Sequence, residues 1–440
     1  MRHSQRHMHL AGFLIAGPVA HSHALWRHPA HAVPFLSVDY YVEIARLLER
    51  GRFDLLFFAD RLAIADRYGS DKTVGLRYGD QDATRLDPMP ILGALAATTR
   101  HIGLGATRST TYEQPYHLAR EFRTLDHLSR GRAAWNVVTS MNDGEALNFG
   151  LAQHLSHDER YDRADEFMEL MGKLWESWDA DALILDRARG LYADPDKVHY
   201  VQHAGRYFTS RGPLNIPSSP QGRPVIIQAG ASARGQSFAA KWAEIIFQIA
   251  PTREHMRRAM TSIREAVVQQ GRKLDVCKVL MAVMPFIGRT EQEAQDMRDE
   301  INALVNPLAG LSTLSAHANV DLSTVALDAR VEELRSSGTQ SLIALAAQHA
   351  KEHGLTMRDL GERYGQSVLV PQLCGTATQI AEQLAEMFTS GDADGFVISP
   401  ALLPDSFADF VDHVVPELQR RGVFRTEYAA TTLRGNVHPA

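Results

Sequence analysis

Cysteine is almost absent: two in 440 residues, Cys277 and Cys374. Their separation excludes a disulfide scaffold, a Cys-ligated zinc and a Cys-x-x-Cys redox centre. Both read as reduced packing residues of a cytoplasmic protein. Long apolar runs are missing too, and no stretch approaches the ~18 residues that a membrane span needs. Arg2 to Ala24 has the basic start and apolar middle of a secretory signal. However, Gly12, Gly17 and Pro18 break the run, and His21, His23 and Trp26 follow without a small-residue cleavage site. Gly12 to Ala16 reads instead as a first strand. There is no block of Lys and Arg, and a net charge of −6 offers nothing to nucleic acid or an anionic membrane. No Gly-x-Gly-x-x-Gly follows a strand-like run, so the fingerprint of tight dinucleotide binding is lacking.

The composition that remains, 45% hydrophobic and 22% charged, is that of a folded globular chain. Its length suits one large α/β barrel with insertions. The clearest stretch runs from His101 to Ser140. Ile102 to Ala106 is a short apolar strand, and Thr107 to Gln114 a polar loop. Pro115 opens a helix with Leu118, Phe122, Leu125 and Leu128 on one face. Ser129-Arg130-Gly131 ends it, and Ala133 to Val138 is the next strand. This is a βαβ unit of a parallel sheet. Strands are also expected at Phe53–Phe58, Val225–Gln228, Glu244–Phe247, Lys278–Ile287 and Gly395–Ile398. With helices between them, the eight strands form a (β/α)8 TIM barrel in a single domain, residues 1–440. A helical insertion at about 290–370 precedes the last strand and is expected to cap the mouth, with Leu308 to Val325 a loop within it. Val198 to Tyr207 alternates like a β-hairpin. The polar tail, Gly422 to Ala440, is expected to pack on a neighbouring subunit.

Chemistry-bearing residues collect at the carboxyl ends of these strands, where barrels hold ligands. Asp60 follows the second strand, as either a helix N-cap or a site group. Thr107 to Thr111 and Asn136 to Asn142, including Ser140, leave the third and fourth. His157 and Tyr161 share a helical face four residues apart, although Tyr161 also fits an apolar edge with Ala164, Met168 and Trp175. Gly230-Ala231-Ser232 leads from a strand into a helix start. Such a turn either caps the helix or binds an anion through exposed N–H groups. His21, His23, His28 and His31 crowd one loop. No Asp, Glu or Cys joins them as a metal site would require, which leaves a substrate-facing loop or solvated side chains.

The segments GRFDLLFFAD, ATTRHIGLGAT, YHLAREFRTLDHLSRGRAAWNVVTS, HDERYDRADEF, QAGASARGQSFAAKWAE, DGFVISP and VVPELQRRGVFRTEY run from the second strand almost to the end. Together they resemble the flavin-dependent monooxygenases of the bacterial-luciferase superfamily, in the branch of nitrilotriacetate, EDTA and dibenzothiophene-sulfone monooxygenases. The resemblance implies reduced FMN as a diffusible co-substrate, supplied by a separate NADH:FMN oxidoreductase. It also implies O2 as oxidant, a small organic substrate with C–N or C–S cleavage, no metal, and a homodimer or homotetramer. It puts Asp60 and Thr107 beside the isoalloxazine, and His157, Tyr161 and Ser232 at the ribityl phosphate. Asn136 and Ser140 fall at the floor and wall. His21 and His157 are the candidates for an acid or base. Asp87 stands where relatives carry Glu, and the prolines that relatives show after the counterpart of Val320–Ser323 are missing. The alternatives are a deazaflavin-dependent oxidoreductase on the same fold, and a flavin- or phosphate-binding barrel without turnover.

Overall fold

The computed structural model of the chain describes residues 7–29, 33–230, 232–331 and 340–438. Eight parallel strands close on themselves: β1 (His9–Ile15), β2 (Leu55–Ala59), β3 (Gly103–Ser109), β4 (Ala133–Val138), β5 (Val225–Gln228), β6 (Ile245–Gln248), β7 (Lys278–Ile287) and β8 (Gly395–Ile398). Their order is β6-β5-β4-β3-β2-β1-β8-β7, and β7 pairs with β6 to complete the ring. The strands are buried on both faces, which is why Leu55–Ala59 and, up to its final Gln248, Ile245–Gln248 are apolar runs rather than alternating ones. The (β/α)8 barrel read from the sequence is the fold.

β3 runs three residues past the expected end, so Thr107, Arg108 and Ser109 are buried strand residues rather than a surface loop. They pair with Asn136, Val137 and Val138 of β4, and the partner strand's hydrogen bonds absorb their polar backbone. The following helix, Pro115–Ser129, buries Leu118, Phe122 and Leu125, but Leu128 is 62% exposed. That helix is capped by two left-handed residues, Arg130 and Gly131. The excursion between β4 and β5 holds two small hairpins, Leu183–Asp186 with Leu191–Ala193 and His203–Ala204 with Thr209–Ser210. The single hairpin expected at Val198 to Tyr207 is therefore out of register. Asn142, read as loop, caps the short helix Asp143–Asn148 with a capping box closed by Glu145.

The insertion is built from helices Glu291–Ala303, Pro307–Ala318, Gln340–His353 and Met357–Ser367. Leu308 to Val325 was expected to be a loop because its small residues show no amphipathic stripe. Pro307–Ala318 is a helix nonetheless, started by the Asn306 cap and Pro307, and buried from Ala309 to Ala318. A helix buried all round carries no stripe to read. Its small residues are needed for a close crossing: a Cβ on Gly310 would lie 1.8 Å from the Gly361 carbonyl oxygen of Met357–Ser367. Gly310→Ala is expected to force the two helices apart at about 1–3 kcal/mol, the usual range for overpacking. A lower urea midpoint, with new protease cuts between residues 291 and 367, would show it. A short strand, Gln372–Gly375, then pairs with the outer half of β7.

The tail closes the floor of its own barrel. Leu433 is fully buried against Gly103, and Arg434 grips Glu244 with Nε–Oε2 2.7 Å and Nη2–Oε1 2.9 Å. Arg425 donates to the buried carboxylate of Asp54, which also accepts from the Leu10 N–H at 2.9 Å. Burial opposes the ionisation of Asp54, but Arg425 and His9 outweigh it and hold this carboxyl below its ordinary range. No helix among the described residues is long and apolar enough to cross a membrane.

Candidate active site

The mouth of the barrel holds a cavity of about 280 Å³. Most of its wall is apolar: Phe13, Phe57, Phe247, Ile249, Ala282 and Val397. The polar exceptions stand at strand ends, namely Asp60 after β2, Thr107 on β3, Asn136 on β4 and Gln248 on β6. Hydrogen bonding fixes one of them unambiguously. The Thr107 hydroxyl donates to the Phe58 carbonyl at 3.0 Å, so its oxygen must accept from Asn136 Nδ2, 2.9 Å away. The Asn136 amide is thereby oriented, and its Oδ1 is left buried without a partner. Gln248 Nε2 is likewise buried and unpartnered. An acceptor and a donor are thus held open on the wall of an apolar cavity, an arrangement that costs stability unless a ligand completes it.

Two histidines face the same space. His21 stacks on Phe13 at 3.8 Å between centroids, and its Nδ1 lies 2.7 Å from Ser399 Oγ. Burial, then His23 and Arg85, lowers its pKa to about 3, so the ring is neutral. His317 comes from the insertion, with Nδ1 2.6 Å from the Tyr364 hydroxyl, and burial holds it well below its ordinary pKa. Asp60 behaves in the opposite sense. Burial, only partly offset by Arg85, the Arg61 N–H and Arg108, pushes its carboxyl up to about 6.

A second cluster lies where β5 meets the helix Ala233–Trp242. Ser232 Oγ caps that helix by accepting from the Gly235 N–H at 3.1 Å, and lies 3.3 Å from His157 Nε2. The Tyr161 hydroxyl joins them: Cβ atoms built on Gly230 and Gly235 would fall 3.1 and 2.7 Å from it. A phenol, an imidazole and a hydroxyl therefore converge over two glycines at a helix N-terminus. Arg234 packs 5.3 Å from the Tyr161 ring centroid but is paired with Asp165 at 2.7 Å. The cluster continues directly into the cavity wall, since Ala229 precedes Gly230 and lines it.

The luciferase-like monooxygenase family matches residues 19–394. The chain belongs to that family. It is 52% identical over 440 residues to dibenzothiophene-sulfone monooxygenase of Rhodococcus erythropolis (strain XP), covering 98% of this chain and 97% of that one. It is 40% identical to nitrilotriacetate monooxygenase component A of Aminobacter aminovorans, covering 94% and 92%. Among solved structures it superposes on a riboflavin lyase containing a modified FMN and riboflavin, with a TM-score of 0.91 at 36% identity over 99% of this chain and 96% of that one. This luciferase-like monooxygenase is accordingly an oxidoreductase that oxygenates a small organic molecule.

Its structure brings Asp60, Thr107, Asn136 and His21 together around the cavity, and His157, Tyr161 and Ser232 together beside it. Asp60 caps no helix; it accepts from its neighbour's N–H, that of Arg61, at 2.8 Å. Ser140 is not among the cavity-lining residues; its hydroxyl is bonded to Ser109 Oγ at 2.9 Å and Glu145 Oε1 at 3.3 Å. The histidine loop does not act as one unit. His23 faces Thr313 of the insertion at 3.2 Å, His28 is half-buried, and His31 lies outside the described residues. Gln248, Arg61 and His317 escaped the sequence reading. Gln248 had a signal in the sequence, because an amide closes the apolar run Ile245–Phe247 at the strand's carboxyl end. His317 left no such signal once its helix was taken for a loop.

Proposed function

We propose that this chain is the oxygenase of a two-component system, in which a separate NADH:FMN oxidoreductase supplies reduced FMN. The observation that carries this reading is the open pair formed by Asn136 Oδ1 and Gln248 Nε2. A flavin's pyrimidine edge presents both N–H and C=O groups, so it can satisfy an acceptor and a donor that nothing else in the barrel reaches. The apolar wall suits the rest of the ring. His157, Tyr161 and Ser232 then hold the phosphate, with the helix N-terminus adding N–H groups and a favourable dipole. Bound there in reduced form, FMN supplies two electrons for O2, so that one oxygen atom enters the substrate and the other leaves as water. Thr107 positions Asn136. Phe13, Phe57 and Phe247 keep water from the reacting centre, and the insertion, through His317 and Leu345, roofs it.

The same wall indicates the substrate class. Arg61 is the cation among the described lining residues, and it is bound to Asp82 at 3.0 Å. His21 and His317 are neutral. A polycarboxylate therefore finds no free positive charge, whereas an uncharged apolar molecule with a hydrogen-bonding oxygen fits. We assign an organic sulfone, the class named in the 52% identical relative, and cleavage of its C–S bond as the outcome here. In an assay with NADH, FMN and a flavin reductase, dibenzothiophene sulfone is expected to gain one atom of isotopically labelled O2. Nitrilotriacetate is expected to be left intact. Turnover without O2 would instead mean transfer of hydrogen, and FMN binding without any product would mean a non-catalytic barrel.

A further inference from the structure

Asp60 belongs to two spaces. It lines the cavity and also a second chamber of about 490 Å³, bounded by the loop after β2. That chamber is bounded by Leu62 to Ile64, by Asp82 to Asp87 and by Arg108, with 41%-exposed Ile64 at its rim. The wall between the two spaces is Asp60 with Arg61, and it is braced. Arg61 and Arg85 both clamp Asp82, at 3.0 and 2.6 Å, while Arg85 also reaches the Ala59 carbonyl at 3.2 Å. Arg108 is paired with Asp87 at 2.7 Å. The fixed charges around Asp60 are therefore already matched: Arg61 and Arg85 from its own loop and the facing one, Arg108 from β3, and Asp82 and Asp87 opposite them. On the cavity side its titratable company is His21 and His317, both held neutral by burial.

We propose that Asp60 is the proton carrier of the site, passing protons from water in the outer chamber to the reacting oxygen in the cavity. This rests on the flavin reading above. Reduced flavin as its anion, O2, substrate and one proton give oxidised flavin, mono-oxygenated product and water. The proton must reach a cavity whose walls otherwise exclude water. The Asp60 O–H bond breaks as an O–H bond forms on the oxygen that departs as water, and the carboxylate then regains a proton from the outer chamber. A group of this kind works best when its ionisation lies near the working pH, and burial has moved Asp60 in that direction.

Proton uptake is read by anaerobic titration calorimetry at pH 7.5 in two buffers of different ionisation enthalpy. Uptake on binding oxidised FMN, which shares the phosphate, is subtracted from that on binding reduced FMN. The wild-type protein is expected to take up more protons with reduced flavin, Asp60→Asn none of this excess, and Asp60→Glu to regain it. In turnover, wild-type product per NADH should fall as pH rises through the Asp60 ionisation. Asp60→Asn should be low and flat with pH, the lost oxygen appearing as hydrogen peroxide. Ala83→Phe narrows the outer chamber with Asp60 in place. It should keep flavin affinity and slow product formation several-fold. Equal uptake in wild type and Asp60→Asn, or an unchanged pH profile, overturns the assignment, and unaffected turnover in Ala83→Phe removes the chamber from the route. Failure of the wild-type protein to bind FMN at all would refute the flavin reading instead.

Discussion

Arg425→Met is expected to cost the fold about 3–5 kcal/mol at pH 7.5, the range for stranding one member of a buried ion pair. Arg425 and Asp54 are 9% and 2% exposed, and Asp54 keeps only His9 and the Leu10 N–H once the guanidinium is gone. The pH dependence has a definite sign. In the wild-type protein the Asp54 pKa is depressed, so its contribution is present above the ordinary carboxyl pKa and is lost as pH falls through the folded value. In the variant burial dominates and the folded pKa rises. The deficit is then full at neutral pH and shrinks as acid neutralises Asp54. Adding Asp54→Asn should recover much of the loss, because the uncompensated charge, rather than the missing contact, carries the cost. Urea unfolding of the wild type and the two variants at pH 5.5 and 7.5 decides it. Equal destabilisation at both pH values, with no recovery in the double variant, would place the cost elsewhere.

Ser232 is expected to reveal two separable roles. Ser232→Ala removes the helix cap and, on the proposed flavin reading, a hydrogen bond to the phosphate. It should weaken FMN binding by about 1–3 kcal/mol and lower the melting temperature slightly. Ser232→Asp keeps a good capping oxygen for the Gly235 N–H but sets a carboxylate against the phosphate. Like charges ~4 Å apart repel by about 4 kcal/mol at the effective dielectric of a protein surface. The Asp variant should therefore melt like wild type and bind FMN on the order of a thousandfold more weakly. The ranking is what tests the site: stability falls in Ala alone, and affinity falls most in Asp. FMN fluorescence quenching reads the affinity, and undiminished binding by Ser232→Asp would move the phosphate away from this helix.

How much of this could be read in the chain depended on the kind of physics each element uses. Barrel strands announce themselves because burial on both faces leaves an uninterrupted apolar run. Ala133–Val138, Val225–Gln228, Lys278–Ile287 and Gly395–Ile398 accordingly have the expected ends. Residues at the ends of such runs fall at one rim by geometry, which is why Asp60, Thr107 and Asn136 gather. The helix Pro307–Ala318 was hidden because a segment surrounded by protein has no polar face, and His317 was hidden with it. The role of Thr107 was hidden for another reason. A hydroxyl in a motif reads as a ligand, whereas its two bonds, to Phe58 and Asn136, are a matter of register between β2, β3 and β4. The tail's packing on its own barrel left no apolar signal to read. Arg425 and Arg434 are polar because the floor they close presents Asp54, Glu244 and the carbonyls of Arg223 and Pro224, while Asn436 ties the tail to its own Ala430 and Thr432 carbonyls.

The floor also fixes where the two described chain ends emerge. Met8 donates to the Val423 carbonyl at 2.8 Å, and the last helix, Leu433–Val437, lies under the same end of the barrel. Anything fused or tethered through either end therefore sits on the pole opposite the cavity. A protein anchored to a bead or an electrode by such a tether would present its entrance to the bulk phase, open to whatever delivers electrons from solution.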